Sequence, residues 1–152
     1  MDWLVFSYIV FTGFTACAEF GSFLFVHPVL RKLPPKYHIL VEKGLVKTFG
    51  RFMPFAMTIC MIISISYAIQ LWPLGGVAAT LAVLAALSFS VAVISTIIFN
   101  VPRNSSVSKW DADALPSDWK RQRTIWEVFQ GVRASLLLIG FVLLTAAVLL
   151  YS

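Results

Sequence analysis

Charge is what this chain has least of: 12% of its 152 residues are Asp, Glu, Lys or Arg, against 59% that are hydrophobic. That inverts the balance of a water-soluble domain and leaves no room for a separate aqueous one. Cysteine falls to two, Cys17 and Cys60, single residues without C-x-x-C spacing. A disulfide framework and a zinc knuckle are thereby excluded, and both read as packing residues inside apolar stretches. Histidine also falls to two, His27 and His38, with no Glu-x-x-His repeat of the sort that builds a two-metal bundle. Internal repeats and low-complexity tracts are missing. So is any groove-reading module, and the net charge of +5 therefore does not point to nucleic acid.

What the chain has is four long apolar stretches, about residues 3–26, 52–72, 77–100 and 128–151. At 1.5 Å rise per residue each can cross roughly 30 Å of hydrocarbon. The expected fold is all-α, a single four-span transmembrane helix bundle over residues 1–152. All 12 basic residues fall in or beside two of the three connections. Arg31, Lys32, Lys36, Lys43, Lys47 and Arg51 follow the first stretch. Arg103, Lys109, Lys120, Arg121, Arg123 and Arg133 follow the third and run into the fourth. Positive charge marks the cytoplasmic side, so loops 27–51 and 101–125 are expected inside and both termini outside, with a bacterial inner membrane as the expected setting. The first stretch has no basic lead-in, begins with Asp2 and exceeds the length of a secretory h-region, so it reads as a retained helix.

Along the chain, His27-Pro28 is expected to open the first loop. Residues 36–49 place Leu40, Leu45, Val46 and Phe49 on one side of a short amphipathic helix at the membrane interface, and span two then starts near Met53-Pro54. The short Trp72-Pro73-Leu74-Gly75-Gly76 turn makes spans two and three antiparallel neighbours. Ala78, Ala82, Ala85 and Ser88 allow close backbone approach in span three, which permits a homodimer without requiring one. Asn100-Val101-Pro102 is expected to end that span, and Ser117 or Asp118 to cap a helix that enters span four without a break.

Polar groups at membrane depth are the informative ones, because each is costly there without a partner. Glu19 lies roughly 12 Å above His27 on the same helix, linked to it through Ser22, Phe23 and Val26. Arg123, Trp126 or Glu127, Gln130 and Arg133 recur every three or four residues and form an inward polar stripe at the start of span four. Arg133 matches Glu19 in depth, and an ion pair between them is expected. Glu19, His27, His38 and Glu42 are the candidate metal ligands, a mixed histidine and carboxylate set suited to iron, zinc or copper; the residues leave open whether any metal, iron or copper foremost, or other cofactor is bound. Asn100, Asn104, Trp110, Trp119 and Trp126 serve equally as interfacial anchors and as a pocket for a planar, phenol-like molecule drawn from the bilayer.

Two stretches carry a family resemblance. Phe25-Val26-His27-Pro28-Val29-Leu30-Arg31-Lys32-Leu33-Pro34 with Gly50-Arg51-Phe52-Met53-Pro54 is one. The other is Asn100-Val101-Pro102-Arg103-Asn104, then Trp110-Asp111, Pro116-Ser117-Asp118-Trp119, Arg123, Trp126-Glu127 and Arg133. Together they resemble the anthrone oxygenase-like membrane family, whose best-described relatives oxidise an anthrone to an anthraquinone with dioxygen. The resemblance implies a pocket at Asn100, Asn104, Trp126, Glu127 and Arg133. Gln130 departs from the family pattern, in which His or Asn is usual there. For such chemistry Glu19 or His27 would be the base and Arg133 the stabiliser of developing negative charge. Two other readings compete: a non-enzymatic membrane ligand-binding or partner protein with the basic loops as docking surfaces, and a small proton-coupled exporter built on Glu19.

Overall fold

A computed structural model describes residues 3–151, so Asp2 lies outside it. Four helices account for most of the described residues: α1 Trp3–Leu30, α2 Pro35–Leu74, α3 Gly76–Lys109 and α4 Trp119–Tyr151. All four are long and apolar enough to cross a membrane, and no strand occurs among the described residues. They form an up-down-up-down ring in which α2 packs on α3, α3 on α4 and α4 on α1, with the α1–α2 seam the thinnest. The hairpin expected between spans two and three is present. Trp72–Leu74 forms a 3₁₀ turn, and Gly75 and Gly76, at φ +67° and +79°, reverse the chain in a region that disfavours any side chain.

Small residues set the closest seam, between α3 and α4. Ala82 and Ala85 are fully buried, and the Ser88 hydroxyl donates to the Leu136 carbonyl at 2.7 Å across the interface. Phe89 fills the space above Gly140, where a Cβ would lie 2.9 Å from the ring. Ala16, Met57, Cys60 and Leu137 complete that layer, and Tyr67, Leu71, Leu144 and Ala147 build a second one nearer the glycine turn. Cys60 is a packing residue as expected. Cys17 is not, for it faces outward from α1.

The helices run further than the apolar stretches did, and the prolines explain why. Residues 36–49 are helical but not a separate interfacial helix: α2 is regular from Pro35 to Leu71, with Pro54 inside it. Pro54 removes one ladder bond and presses on the carbonyl four residues back, which belongs to Gly50, the least constrained backbone available. Leu40 is exposed, whereas His38, Ile39 and Glu42 turn inward. Neither does Pro28 open a loop. Ser22–Val26 forms a π turn, closed by His27 N–H to the Ser22 carbonyl, and the helix continues through Pro28 to Leu30. Helix α3 repeats the device: Thr96–Asn100 is a π turn closed by Val101 N–H to the Thr96 carbonyl, and the chain passes through Pro102 to Lys109. In each case the carbonyl that proline would strike lies inside the π turn, where the ladder has already shifted to i−5. Asn100 is therefore mid-helix rather than a C-cap. The links shrink to residues 31–34 and 110–118, and α4 begins as expected, with Gln122 N–H bonded to the Asp118 carbonyl at 3.0 Å.

Candidate functional site

The π turn in α1 decides which residues share a face. Glu19 and His27 are eight residues apart, which in a regular helix leaves them about 80° out of line. One inserted residue takes back about 100°, and both side chains then point into the bundle. Glu19 is fully enclosed and His27 nearly so, while Val26, expected on the connecting stripe, is turned outward. The corresponding turn in α3 buries Thr96 and Asn100 together.

From α4 the expected stripe arrives intact: Arg123, Trp126, Gln130 and Arg133 are buried, whereas Ile125, Val128 and Val132 face out. The ion pair is present. Arg133 Nη2 donates to Glu19 Oε2 at 2.7 Å, and Gln130 Nε2 donates to the same oxygen at 3.1 Å. Asn100 Nδ2 donates in turn to Gln130 Oε1 at 3.4 Å, a long bond that still ties α3 into the network. Gln130 thus acts as a relay of hydrogen bonds between two helices, a role that an amide fills because it is donor and acceptor at once.

Toward the basic end lies a second layer. The His27 ring stacks on Trp126, centroids 5.2 Å apart and planes within 3°. The Trp126 indole N–H donates to Asn104 Oδ1 at 2.9 Å. Glu127 lies 3.9 Å from His27 Nδ1 and accepts from Arg31 Nε at 2.5 Å, so Arg31, read from sequence as a topology signal and as part of a family-like stretch but not as a site residue, joins the site. Further out, His38 Nδ1 lies 2.6 Å from both the Leu30 carbonyl and Arg123 Nη1. It serves the first as donor or the second as acceptor, according to tautomer. Glu42 Oε2 is 3.4 Å from His38 Nε2. Trp119 leans on the His38 ring, and Trp110 lies under the Arg103 guanidinium. Two bonds close this end: Lys36 pairs with Asp113 at 2.6 Å, and Lys43 Nζ donates to the Trp110 carbonyl.

A cavity of about 40 Å³ runs between these layers. His27, Trp126, Gln130, Arg133, Asn104 and Glu42 supply its polar wall; Leu45, Val46, Phe49 and Pro54 supply the apolar one. Several wall groups are buried without a hydrogen-bond partner: His27 Nδ1, Glu42 Oε2 and Arg133 Nε, and Asn100 Oδ1 is in the same state although Asn100 does not line the cavity. Buried polar groups in that state call for water or a ligand. Glu19 takes a different place from the one expected of a base. It holds Arg133 and Gln130, and they form the wall. The four candidate metal ligands do not converge: Glu19 belongs to Arg133, His27 to Trp126 and Glu127, and His38 to Glu42. No group of three or more His, Cys, Asp or Glu side chains is placed to hold a metal among the described residues. The sequence reading missed Thr96, Gly50 and Pro54, which also line the cavity. Pro54 in mid-helix was the available signal.

A family model described as anthrone oxygenase matches residues 45–143, from the first third of α2 to the last third of α4. The match includes Asn100, Asn104, Trp126, Gln130 and Arg133 and leaves Glu19 and His27 outside. No curated protein and no solved structure matches the chain.

Proposed function

Since the chain belongs to the anthrone oxygenase family, we propose that it is a membrane oxidoreductase acting on a hydrophobic, phenolic or anthrone-like molecule in the cavity at the basic end of the bundle. With the basic loops in the cytoplasm, that end faces inward. One observation carries the reading: His27 and Arg133 line the same cavity, and His27 Nδ1 and Arg133 Nε are buried there without a hydrogen bond, the nearest carboxylate to His27 Nδ1 being Glu127 at 3.9 Å. A base with no hydrogen bond on one ring nitrogen and a cation with a free N–H, on the wall of one cavity with an indole ring, match what anthrone oxidation asks of a protein.

His27 takes a proton from the methylene carbon opposite the substrate carbonyl. The electron pair left behind delocalises onto that carbonyl oxygen, where Arg133 stabilises the charge, as donors in an oxyanion hole do. The carbanion then reduces dioxygen, a C–O bond forms, and the peroxide carbon loses its remaining hydrogen as water leaves. The methylene has become a carbonyl, and the balance is one anthrone and one dioxygen to one anthraquinone and one water. Trp126 provides the flat surface on which a tricyclic molecule lies, and Glu19 keeps Arg133 in place.

Turnover of 1,8-dihydroxyanthrone in proteoliposomes, followed by anthraquinone absorbance against protein-free vesicles, tests this. His27→Gln should lower the rate about 100-fold or more, the range of a lost general base. Wild-type rates no higher than those of empty vesicles, or full activity in His27→Gln, would remove the basis of the assignment. The exporter reading has less support, because Gln130 and Arg133 enclose the carboxylate on which it depends.

A further inference from the structure

The cavity is about a tenth the size of a pocket for a drug-sized molecule. A tricyclic substrate therefore needs a way in and a wall that yields. Two further hollows adjoin the cavity, each sharing lining residues with the one before. The first, about 150 Å³, shares Pro54, Thr96 and Val101 with it and is bounded further by Met57, Val93 and Ile97. The second, about 400 Å³, shares Pro54 and Thr58 with the first and ends on the outward residues Phe55, Ile59 and Ile62. Phe55 is 76% exposed and Ile97 61%, on faces that meet lipid in a membrane-spanning helix. The first hollow thus adjoins the cavity of His27 and Arg133 and is walled by both α2 and α3, with the exposed Ile97 on its rim, and the second lies against the outward face of α2 alone.

Both walls are weakened at this level. In α2, Pro54 leaves the Gly50 carbonyl without its ladder donor, and Gly50 and Pro54 both line the cavity. In α3, the π turn Thr96–Asn100 stands opposite, with Thr96 on the passage. The two hydroxyls along the way are occupied at home: Thr58 Oγ1 donates to the Pro54 carbonyl and Thr96 Oγ1 to the Ala92 carbonyl, each at 2.8 Å. An apolar ring passing them displaces no cross-helix bond.

We propose that the substrate enters and leaves sideways, from the hydrocarbon of the bilayer, through a portal between α2 and α3 framed by Pro54, Thr58, Thr96, Ile97 and Val101. The portal deepens the proposed function and rests on it. It restricts the ligand to molecules that partition into lipid, are flat enough to pass between two helices, and carry a polar group at one end for Arg133.

A portal controls rates and a binding site controls affinity, which separates the two. The probe is 1,8-dihydroxyanthraquinone preloaded into proteoliposomes, with stopped-flow quenching of protein tryptophan fluorescence as readout. Ile97→Trp or Thr58→Trp should slow association and dissociation together by about 10-fold with the dissociation constant within about 2-fold of wild type, and Ile97→Ala should speed both. Arg133→Met, in contrast, should weaken affinity. Unchanged rates in Ile97→Ala and in whichever tryptophan variant folds, with binding intact, would overturn the portal and leave the proposed function standing. No saturable quenching of the wild-type protein would overturn the proposed function and the portal with it.

Discussion

Glu19 and Arg133 show how a single contact can be both cheap to keep and expensive to break. Charges this deep are tolerated because each is the other's partner and Gln130 shares the load. Removing one side leaves the other buried and uncompensated, a loss of about 3–5 kcal/mol. Glu19→Ala should therefore lower stability by roughly that amount in a detergent unfolding titration, while Glu19→Leu combined with Arg133→Met recovers most of it. The rate of substrate turnover separates the pair's roles, since the double variant should be folded and inactive. Trp126→Phe tests the next layer. It keeps the stack on His27 and loses the bond to Asn104, which should cost about 1 kcal/mol in the same titration. At this scale the sequence was most legible: the polar stripe of α4 and its partner on α1 followed from spacing and depth alone. His38 and Glu42 were less so, because whether an i, i+4 pair on a helix is solvated or covered depends on what packs over it, here Arg123 and Trp119.

Helix packing turns on glycines that make room for rings. A Cβ on Gly131 would meet the Phe23 ring at 2.7 Å, and one on Gly140 would meet Phe89 at 2.9 Å. Gly140→Ala should destabilise by about 1–3 kcal/mol, the cost of overpacking a closed core, and Phe89→Leu in the same chain should restore part of it. Phe23 is half-buried beside the cavity rather than enclosed like Phe89, so Gly131→Ala should cost less and show mainly as altered affinity for the anthraquinone probe. The reading of the elements erred at their ends. Apolar length marks where a helix meets lipid but not where it stops, and each of Pro28, Pro54 and Pro102 was read as a boundary because its usual effect is to break the ladder. Nothing in a single sequence distinguishes a proline that ends a helix from one that a π turn or a glycine has accommodated.

Taken whole, the molecule outgrows the layer it is built to cross. Helix α2 alone is about 55 Å long against roughly 30 Å of hydrocarbon, and its basic residues, Lys36, Lys43, Lys47 and Arg51, all fall in its first half. The links at 31–34 and 110–118 should lie on one side of the membrane and the glycine turn on the other. In a Cys17→Ala, Cys60→Ala background, cysteines at Lys32 and Asp113 should react with a membrane-impermeant maleimide from the same compartment, and one at Gly75 from the opposite one. The four-span architecture was legible because hydropathy and charge were segregated so strictly; the ring order was not, because it rests on shape matches such as Phe89 on Gly140. One correspondence also stayed out of sight. Helices α1 and α3 run parallel on opposite sides of the ring, and each carries a π turn followed, one residue later, by an X-Pro pair, His27-Pro28 and Val101-Pro102. The same local backbone device thus occurs twice, with different side chains at it. At one member of the pair stands an imidazole turned into the cavity, at the other a valine on its open flank. On the proposed reading, a fault of the same kind, placed twice, serves reactivity on one half of the molecule and passage on the other.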